Sequence, residues 1–596
     1  MANYTLDPEG DAKSFQESSR STRSHFDSSS DSSQSIEPHS ERTSLLYRHG
    51  PDYKSTAINS GEGESRYRDE AEDEDEEGEV LGEQPRGKSV FAIIALLMIG
   101  VFMSNADGSL VMATYGTISS EFGALGEASW LTTSYALATC AVQPITGKLS
   151  DIYGRKSVLL VSYVLFAVGS VICGIGQTMW QVIAGRVIAG LGAAGMTVIV
   201  SILITDLVPL IQVASWRSYV NVVATIGRSI GGPLGGFLAD TVGWRWSFIG
   251  QGPIITLAII LIALRLPAHT SPPDSSPPTQ SKPHYQSARQ PSKLHRVDFI
   301  GATLLASTIV SLLGALSLGG QKYPWSHPIV IGLGVAAIVL GVLFVLFEVY
   351  GALEPVFPPS MIVKRDVATA YGIITLQAAA QLGMMFTIPL YFRTTQNSTN
   401  TTAGSHLFPA VLGNTLGGLL SGLYISRTGH YKSLSLLAAL SSSLSYLLLI
   451  VRWKGNTGWW ESLEIVPGGF GTGIAFSATF IGLQAGVDRA DMAVATAGLY
   501  LGSGLGMVLG VAGASAVQIG TLRPLLFGAL ANLDGAKEII DQVISNVSSI
   551  ASLSPPIRKI VIESYVKSIE NSHMLSLACS LAAFILACSI REHKLR

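Results

Sequence analysis

"GKLSDIYGRK", residues 147–156, puts two glycines, an aspartate and three basic residues into ten positions between two long apolar stretches. The stretches on either side, near 128–148 and 157–176, each have the length, about 20 residues, at which a helix crosses the hydrocarbon of a bilayer. A polar decapeptide between two such runs reads as a tight turn on one membrane face. Two explanations of its composition are open. Glycine suits the turn, and basic residues are retained on the cytosolic side of membrane proteins. Alternatively, Asp151 beside a helix terminus and Arg155 form a charge latch that opens and closes between helices.

The rest of the chain has the same character. With 596 residues, 48% hydrophobic and only 14% charged, it is too apolar for a soluble protein of this size and reads as a polytopic membrane protein. Further span-length runs occur near 90–112, 180–204, 217–240 and 244–265, then near 298–318, 327–349, 368–391, 406–425, 433–453, 464–487, 492–518 and 572–590. A polar, proline-rich linker, "HTSPPDSSPPTQSKPHYQSARQPSKLHR", separates the first six runs from the rest. The expected fold is all-α, with fourteen membrane helices. The nine tryptophans, at 130, 180, 216, 244, 246, 325, 453, 459 and 460, lie at or near the ends of these runs, where an amphipathic ring prefers the headgroup layer.

Residues 1–88 carry 21 acidic and 10 basic side chains against 21 and 29 in the remainder, so a nearly neutral total hides an acidic tail on a basic body. Serine runs such as "SSSDSSQS" and the block "RDEAEDEDEEGE" offer too little apolar surface to offset the entropy of ordering them, and a disordered tail is expected. The tail has no apolar stretch near residue 1 of the kind a cleavable signal peptide needs, so the first span is expected to act as an uncleaved anchor. Within it, "ERTSLL" sets Glu41, Leu45 and Leu46 in an E-x-x-x-L-L pattern similar to the acidic dileucine signals by which vesicle adaptors deliver membrane proteins to vacuoles or lysosomes. The four cysteines, Cys140, Cys173, Cys579 and Cys588, fall in apolar runs, and no disulfide framework is expected.

Placing the tail in the cytosol puts Arg86, Lys88, Arg155, Lys156, Arg217, the basic linker, Lys364, Arg365, Arg427, Lys432 and the terminal "REHKLR" on the cytosolic side. Arg245, Lys322, Arg393, Arg452 and Lys454 then face away. The sequons at Asn397, Asn400 and Asn546 all fall in loops on that far side, as glycosylation requires.

The spacing of Gly147, Asp151, Gly154, Arg155 and Lys156 matches G-x-L-x-D-x-x-G-R-K, and in this the chain resembles the major facilitator superfamily. A weaker echo, "GLYISRTGHYK", starts at Gly422 and repeats both glycines 275 residues later, with Ser426 in place of the aspartate; degenerate repetition of this kind is what a transporter built from two related halves leaves in sequence. The resemblance covers roughly 90–590. It implies two six-helix halves, 89–265 and 350–590, joined by a cytosolic linker (266–297) and two extra helices (298–349), with 591–596 as a short cytosolic tail.

"GRVIAGLGAAG" places Arg186 in the fourth span, where an arginine is expensive enough to be presumed functional; the resemblance implies proton coupling, and a structural pairing with a neighbouring helix is the alternative. "GRSIGGPLGG" in the fifth span supplies Gly227, Gly231, Gly232, Pro233, Gly235 and Gly236. Glycines at four-residue spacing let helices approach closely, and Pro233 removes a backbone donor. As G-x-x-x-G-P-x-G-G the stretch resembles a motif of antiporters in this superfamily, so substrate and proton are expected to move in opposite directions. Arg228 inside it faces either the cavity or the headgroups.

Fourteen spans resemble the drug:proton antiporter branch. The first span of that branch carries D-x-T-I-V-x-x-A-L-P; here Asp107, Ser109, Leu110 and Val111 keep the register, but Thr114, Tyr115 and Gly116 replace its end. With "ISSEF" following, the departure is more similar to fungal vacuolar basic amino acid transporters. That resemblance gives Asp107 a purpose. Few carboxylates lie within the spans, with Asp240, Glu348 and Asp491 nearer their ends, and a carrier of arginine, lysine or histidine needs one in its central cavity. Asp107 then binds the cationic cargo, carries the coupling proton, or alternates between both. Its structural alternative is an ion pair with an arginine across the bundle.

The chain has no phosphate-binding G-x-x-x-x-G-K-[ST], no Cys/His cluster at metal-ligand spacing and no nucleophile elbow, which argues against an ATP-driven pump and against an enzyme; neither metal, cofactor nor nucleic-acid partner is expected. The loop 519–569 shows helical periodicity in "AKEIIDQVISNVSSI" and "IRKIVIESYVKSI" and is expected to pack as amphipathic helices on the lumenal face. The expected mechanism is alternating access in the vacuolar membrane, driven by protons leaving the lumen, each gaining about 2.3 kcal/mol per 100 mV before any pH contribution. Two rival readings stand beside it: a plasma-membrane exporter of drugs or siderophores, and a non-transporting nutrient receptor signalling through the acidic tail.

Overall fold

The computed structural model describes residues 87–124, 127–267, 297–319, 323–352, 355–531, 535–545 and 547–595. Residues Glu41, Leu45 and Leu46, the acidic tail and most of the proline-rich linker lie outside them. A first set of helices comprises α1 (Gly87–Glu121), α2 (Trp130–Tyr153), α3 (Arg155–Ile175), α4 (Met179–Leu207), α5 (Leu210–Thr241) and α6 (Arg245–Arg265, broken at Gly250). A pair follows, α7 (Phe299–Leu318) and α8 (Pro328–Tyr350). The second set is α9 (Arg365–Gln396), α10 (Phe408–Thr428), α11 (Lys432–Arg452), α12 (Val466–Ala485), α13 (Met492–Ala529) and α14 (Pro555–Cys588).

Thirteen of these are long and apolar enough to cross a membrane. The fourteenth, α2, has the length, at 24 residues, but Thr132, Thr133, Ser134, Gln143 and Pro144 dilute its apolar content. Of these, Ser134, Gln143 and Pro144 are buried in protein and Thr132 and Thr133 are half-buried. No strand occurs among the described residues beyond one isolated bridge between Gly319 and Tyr323.

Local chemistry sets the boundaries. Thr178 caps α4 by accepting from the Gln181 N–H, and Asp298 caps α7 by accepting from the Gly301 N–H at 2.8 Å. Pro328 opens α8, where its missing donor costs nothing. Gly154, at φ +89°, and Gly429, at φ +71°, end α2 and α10 in a backbone conformation that a side chain resists.

Within the first set α1 packs on α5, and α4 lies between α2 and α3; within the second, α9 packs on α13 and α14, and α12 on α10 and α11. The pair α7–α8 rests against α2, and α8 presents Ile338, Val339 and Val342 outward. The two sets meet along α2–α13 and α5–α10.

Their hydrogen bonds run from Ser215 to the Gly422 carbonyl, from Ser218 to the Gly418 carbonyl at 2.5 Å, and from Asn221 to Asn414 Oδ1 at 2.9 Å. Cys140 on α2 sits so close to Gly504 on α13 that a Cβ added there would come within 2.6 Å of its sulfur. These contacts lie in the half of the bundle toward the 147–156 turn. On the far side, α1 carries Asn105, Gly108, Met112 and Tyr115 along one helical stripe that is half-buried or exposed, although its other faces are covered by α2, α4, α5 and α6. The halves are thus closed on the face of the turn, and the stripe borders the cleft that opens away from it.

The segment 519–569 differs from its expected form. Helix α13 continues to Ala529, and "IRKIVIESYVKSI" is the first half of α14 rather than a separate helix, because its apolar side joins the core directly. The first amphipathic piece does form a short helix, Ala536–Ser545. Ile540 and Val543 from it pack with Leu522, Leu526, Val561 and Tyr565, and the Tyr565 hydroxyl donates to the Val543 carbonyl at 2.9 Å. The result is an apolar cap tying α13 to α14.

Candidate functional site

Asp107 and Arg186 come together. On α1 and α4 respectively, they are each about 1% exposed, and Arg186 Nη1 donates to Asp107 Oδ2. Gln251 of α6 donates to the other carboxylate oxygen at 3.0 Å, and the Leu131 carbonyl of α2 accepts from Arg186 Nε at 3.0 Å. The guanidinium lies 4.2 Å from the centre of the Tyr135 ring, whose hydroxyl donates to the Ser104 carbonyl. Four helices of one half therefore converge on a single ion pair. Neither charge is open to the cleft in this conformation. Burial of both ions is tolerated because each finds further polar partners; removing one partner would strand the other at a cost of about 3–5 kcal/mol.

The 147–156 turn separates into two functions. Gly147 is a point of close approach between the halves, since a Cβ there would fall 2.8 Å from the Ala493 carbonyl at the start of α13. Gly422 does the same on α10, its added Cβ falling 2.7 Å from the Ala214 carbonyl of α5. The repeat seen in sequence is thus a pair of equivalent contacts, α2 on α13 and α10 on α5. The charges are not repeated. Arg155 pairs with Asp151 and, at 3.1 Å, with Asp206 at the end of α4, while Lys156 donates to the Ala263 carbonyl of α6. Ser426, in the place of Asp151, turns back to the Leu423 carbonyl, and His430, in the place of Arg155, lies 2.9 Å from Glu592.

The glycines of α5 divide likewise. Gly227, Gly231 and Gly235 face α1, and a Cβ at Gly231 would lie 2.2 Å from the Ala106 carbonyl. Gly236 has open space around it, and Gly232 has only the Ser109 carbonyl at 3.8 Å. Pro233 lies inside the continuous helix.

Several participants were hidden in the sequence. Asp206 and Gln251 complete the two ion-pair networks, each as a single polar residue at or near the end of an apolar run. Arg217 of α5, 2% exposed, donates to Ser201 and to the Tyr500 hydroxyl, both at 2.6 Å, and its guanidinium lies 4.3 Å from the Phe480 ring centre. Among the described residues no carboxylate pairs with it; aromatic rings of the opposite half take that place. Of the other carboxylates, Glu348 accepts from the backbone N–H groups of Val356 and Phe357 and ties a loop, Asp491 lies 3.8 Å from Lys364, and Asp240 is exposed. Asn397 ends α9 in the left-handed region at φ +51° and is exposed; the Asn400 side chain and Asn546 lie outside the described residues.

Comparison with known proteins agrees with this architecture. The sequence pattern of the Major Facilitator Superfamily matches residues 97–511. The chain is 31% identical over 507 residues to the vacuolar membrane amino acid uptake transporter fnx2 of Schizosaccharomyces pombe, covering 85% of each chain. It is 29% identical to the multidrug resistance protein fnx1 of the same organism, over 84% of this chain and 92% of that one. To vacuolar basic amino acid transporter 2 of Saccharomyces cerevisiae it is 28% identical, over 78% of this chain and 98% of that one. With a family match across most of its length and two helical halves joined through repeated glycine turns, the chain belongs to the major facilitator superfamily.

Proposed function

We propose that this transporter is a proton-coupled antiporter that carries basic amino acids, arginine, lysine and histidine, from the cytosol into the vacuole. As a member of its superfamily the protein is a multi-pass membrane transporter and not an enzyme. One relative is a vacuolar membrane amino acid uptake transporter and another a vacuolar basic amino acid transporter.

The observation that carries the reading is the buried Asp107–Arg186 pair. While both are ionised the pair has no net charge. Protonating Asp107 leaves Arg186 as an uncompensated cation beside the cleft, so the site gains one positive charge. A cationic cargo is then repelled, the more strongly because the surroundings are of low dielectric. Proton binding and cargo binding thus oppose each other, which is the requirement for antiport. With the 147–156 turn placed in the cytosol, the conformation described is open to the lumen, where acid would load Asp107 and discharge the cargo.

One observation favours a second reading. The intramembrane carboxylate is occupied by Arg186 rather than offered to the cleft, and a relative is a multidrug resistance protein, which suits a plasma-membrane exporter of drugs or siderophores. Reconstituted vesicles with an acidic interior decide. Labelled arginine, lysine and histidine should accumulate and a protonophore should abolish the uptake. Accumulation of a lipophilic drug cation with no amino acid uptake would transfer the conclusion to the exporter, and binding without counterflow to a receptor.

For address and orientation we propose a cytosolic N-terminus, a dileucine signal at Glu41, Leu45 and Leu46 read by a vesicle adaptor, and glycans at Asn397, Asn400 and Asn546. Leu45→Ala with Leu46→Ala should move a tagged protein from the vacuole toward the cell surface. Glycosidase should shift the mobility of the wild type and not of the triple Asn→Gln variant. An unmoved protein would remove the signal, and a shift that survives the triple variant would remove the sequons.

A further inference from the structure

Arg228 is the intramembrane charge without an assigned role. It sits on α5 one turn beyond Thr225, whose hydroxyl donates to Asn414 Oδ1 at 3.4 Å, the next hydrogen bond between the halves along this helix after that of Asn221. At about 100° per residue, position 228 falls on the side of α5 opposite Phe237, and Phe237 belongs to the exposed stripe Ile226, Ile230, Leu234 and Phe237 that is turned to lipid. The neighbouring Gly227 and Gly231 press α5 onto α1, so Arg228 projects between the α1 contact and the α10 contact. That is where the halves part. The residue is exposed, though it lies deep in the bundle, and among the described residues it has no hydrogen bond or ion pair. Asp107, the acidic side chain nearest in depth on α1, is already engaged by Arg186 and Gln251.

We infer that Arg228 is the subsite for a carboxylate on the cargo. A guanidinium presents a planar fork of donors matched to a carboxylate, and an unneutralised one inside a membrane protein waits for an anion to complete it. On the helices that flank it, Asn105 and Ser109 of α1 and Asn414 of α10, with Thr225 one turn earlier on α5 itself, offer oxygen acceptors for an adjoining ammonium group. The inference rests on the amino acid reading and sharpens it: recognition is anchored on the α-carboxylate, which every amino acid has, and amines lacking it are rejected.

The test compares lysine with cadaverine, its decarboxylated analogue, in vesicles holding wild type, Arg228→Gln or Arg228→Lys at equal amounts. Wild type should transport lysine at least about tenfold faster than cadaverine, a threshold well inside the roughly 10⁴-fold discrimination that a site built to hydrogen-bond a polar group can exert on a competitor lacking it. Arg228→Gln should bring the two rates within about twofold by slowing lysine, and Arg228→Lys, which keeps the charge without the fork, should fall between. A wild type that carries cadaverine as fast as lysine, or an Arg228→Gln protein that keeps the wild-type preference, overturns the inference and leaves the basic cargo intact. If wild type carries neither, the basic cargo fails instead. Leucine against isopentylamine then decides Arg228 by the same ratio, with no difference between wild type and Arg228→Gln counting against it.

Discussion

Asp107→Asn should abolish proton-driven uptake of basic amino acids, with a loss of about a hundredfold or more, the scale on which a required proton-transfer group contributes. Asparagine preserves the size of the side chain and can still accept from Gln251, but it cannot hold and release a proton at the site. It also leaves Arg186 buried without its counter-ion, which costs about 3–5 kcal/mol, so a fall in stability will accompany the fall in transport. The two effects separate in the double variant Asp107→Asn with Arg186→Gln. Removing both charges takes away the stranded cation and should return the unfolding midpoint of the solubilised protein toward that of the wild type, while uptake stays lost. Asp107→Glu should retain part of the activity. Normal lysine uptake by well-expressed Asp107→Asn would reduce the pair to a packing element.

The second large effect is expected at α5. Gly231→Ala places a methyl group 2.2 Å from the Ala106 carbonyl oxygen, a main-chain atom that cannot rotate away, so α1 and α5 must separate. A cost of roughly 1–3 kcal/mol is the ordinary scale of overpacking, and the displacement acts on the segment of α1 that holds Asp107. Gly236→Ala, in the same glycine-rich stretch, meets open space and should leave stability within about 0.5 kcal/mol of wild type. Thermal unfolding and uptake measured side by side check both. Equal behaviour of the two variants would mean that α1 and α5 are not held together by this seam.

The helices were legible because lipid imposes a long apolar run on every span, and the 147–156 turn was legible because its residues are local in sequence. What escaped depends on rotation about helix axes and on distance in the chain. Arg186 and Asp107 could each be marked as costly, but that they meet requires α1 and α4 to be adjacent and correctly turned. Gln251, 144 residues from Asp107, completes the pair as one amide in an apolar helix. The division of the α5 glycines into a seam and an open face follows their angular position; the motif as a string treats them alike. Asp206 stood just past the end of its apolar run, so nothing in composition set it apart until the turn brought Arg155 to it. The extension of α14 back to Pro555 was missed for the converse reason. Its first turns are amphipathic because they pack on α13 and the short helix, not because they leave the bundle.

The contact of Cys140 with Gly504 gives the protein its own optical handle. The thiol lies on the seam between α2 and α13, 6% exposed, and is covered only while the halves meet on the face of the 147–156 turn. Cys173 is sealed inside one half, so replacing Cys579 and Cys588 by serine would leave one thiol that responds to the transport cycle. A small fluorescent maleimide would label it when that face opens and not when it is shut. The rate of labelling would then report how often that face opens without any foreign residue at the seam, and a cargo that drives the cycle would announce itself by the faster labelling it brings.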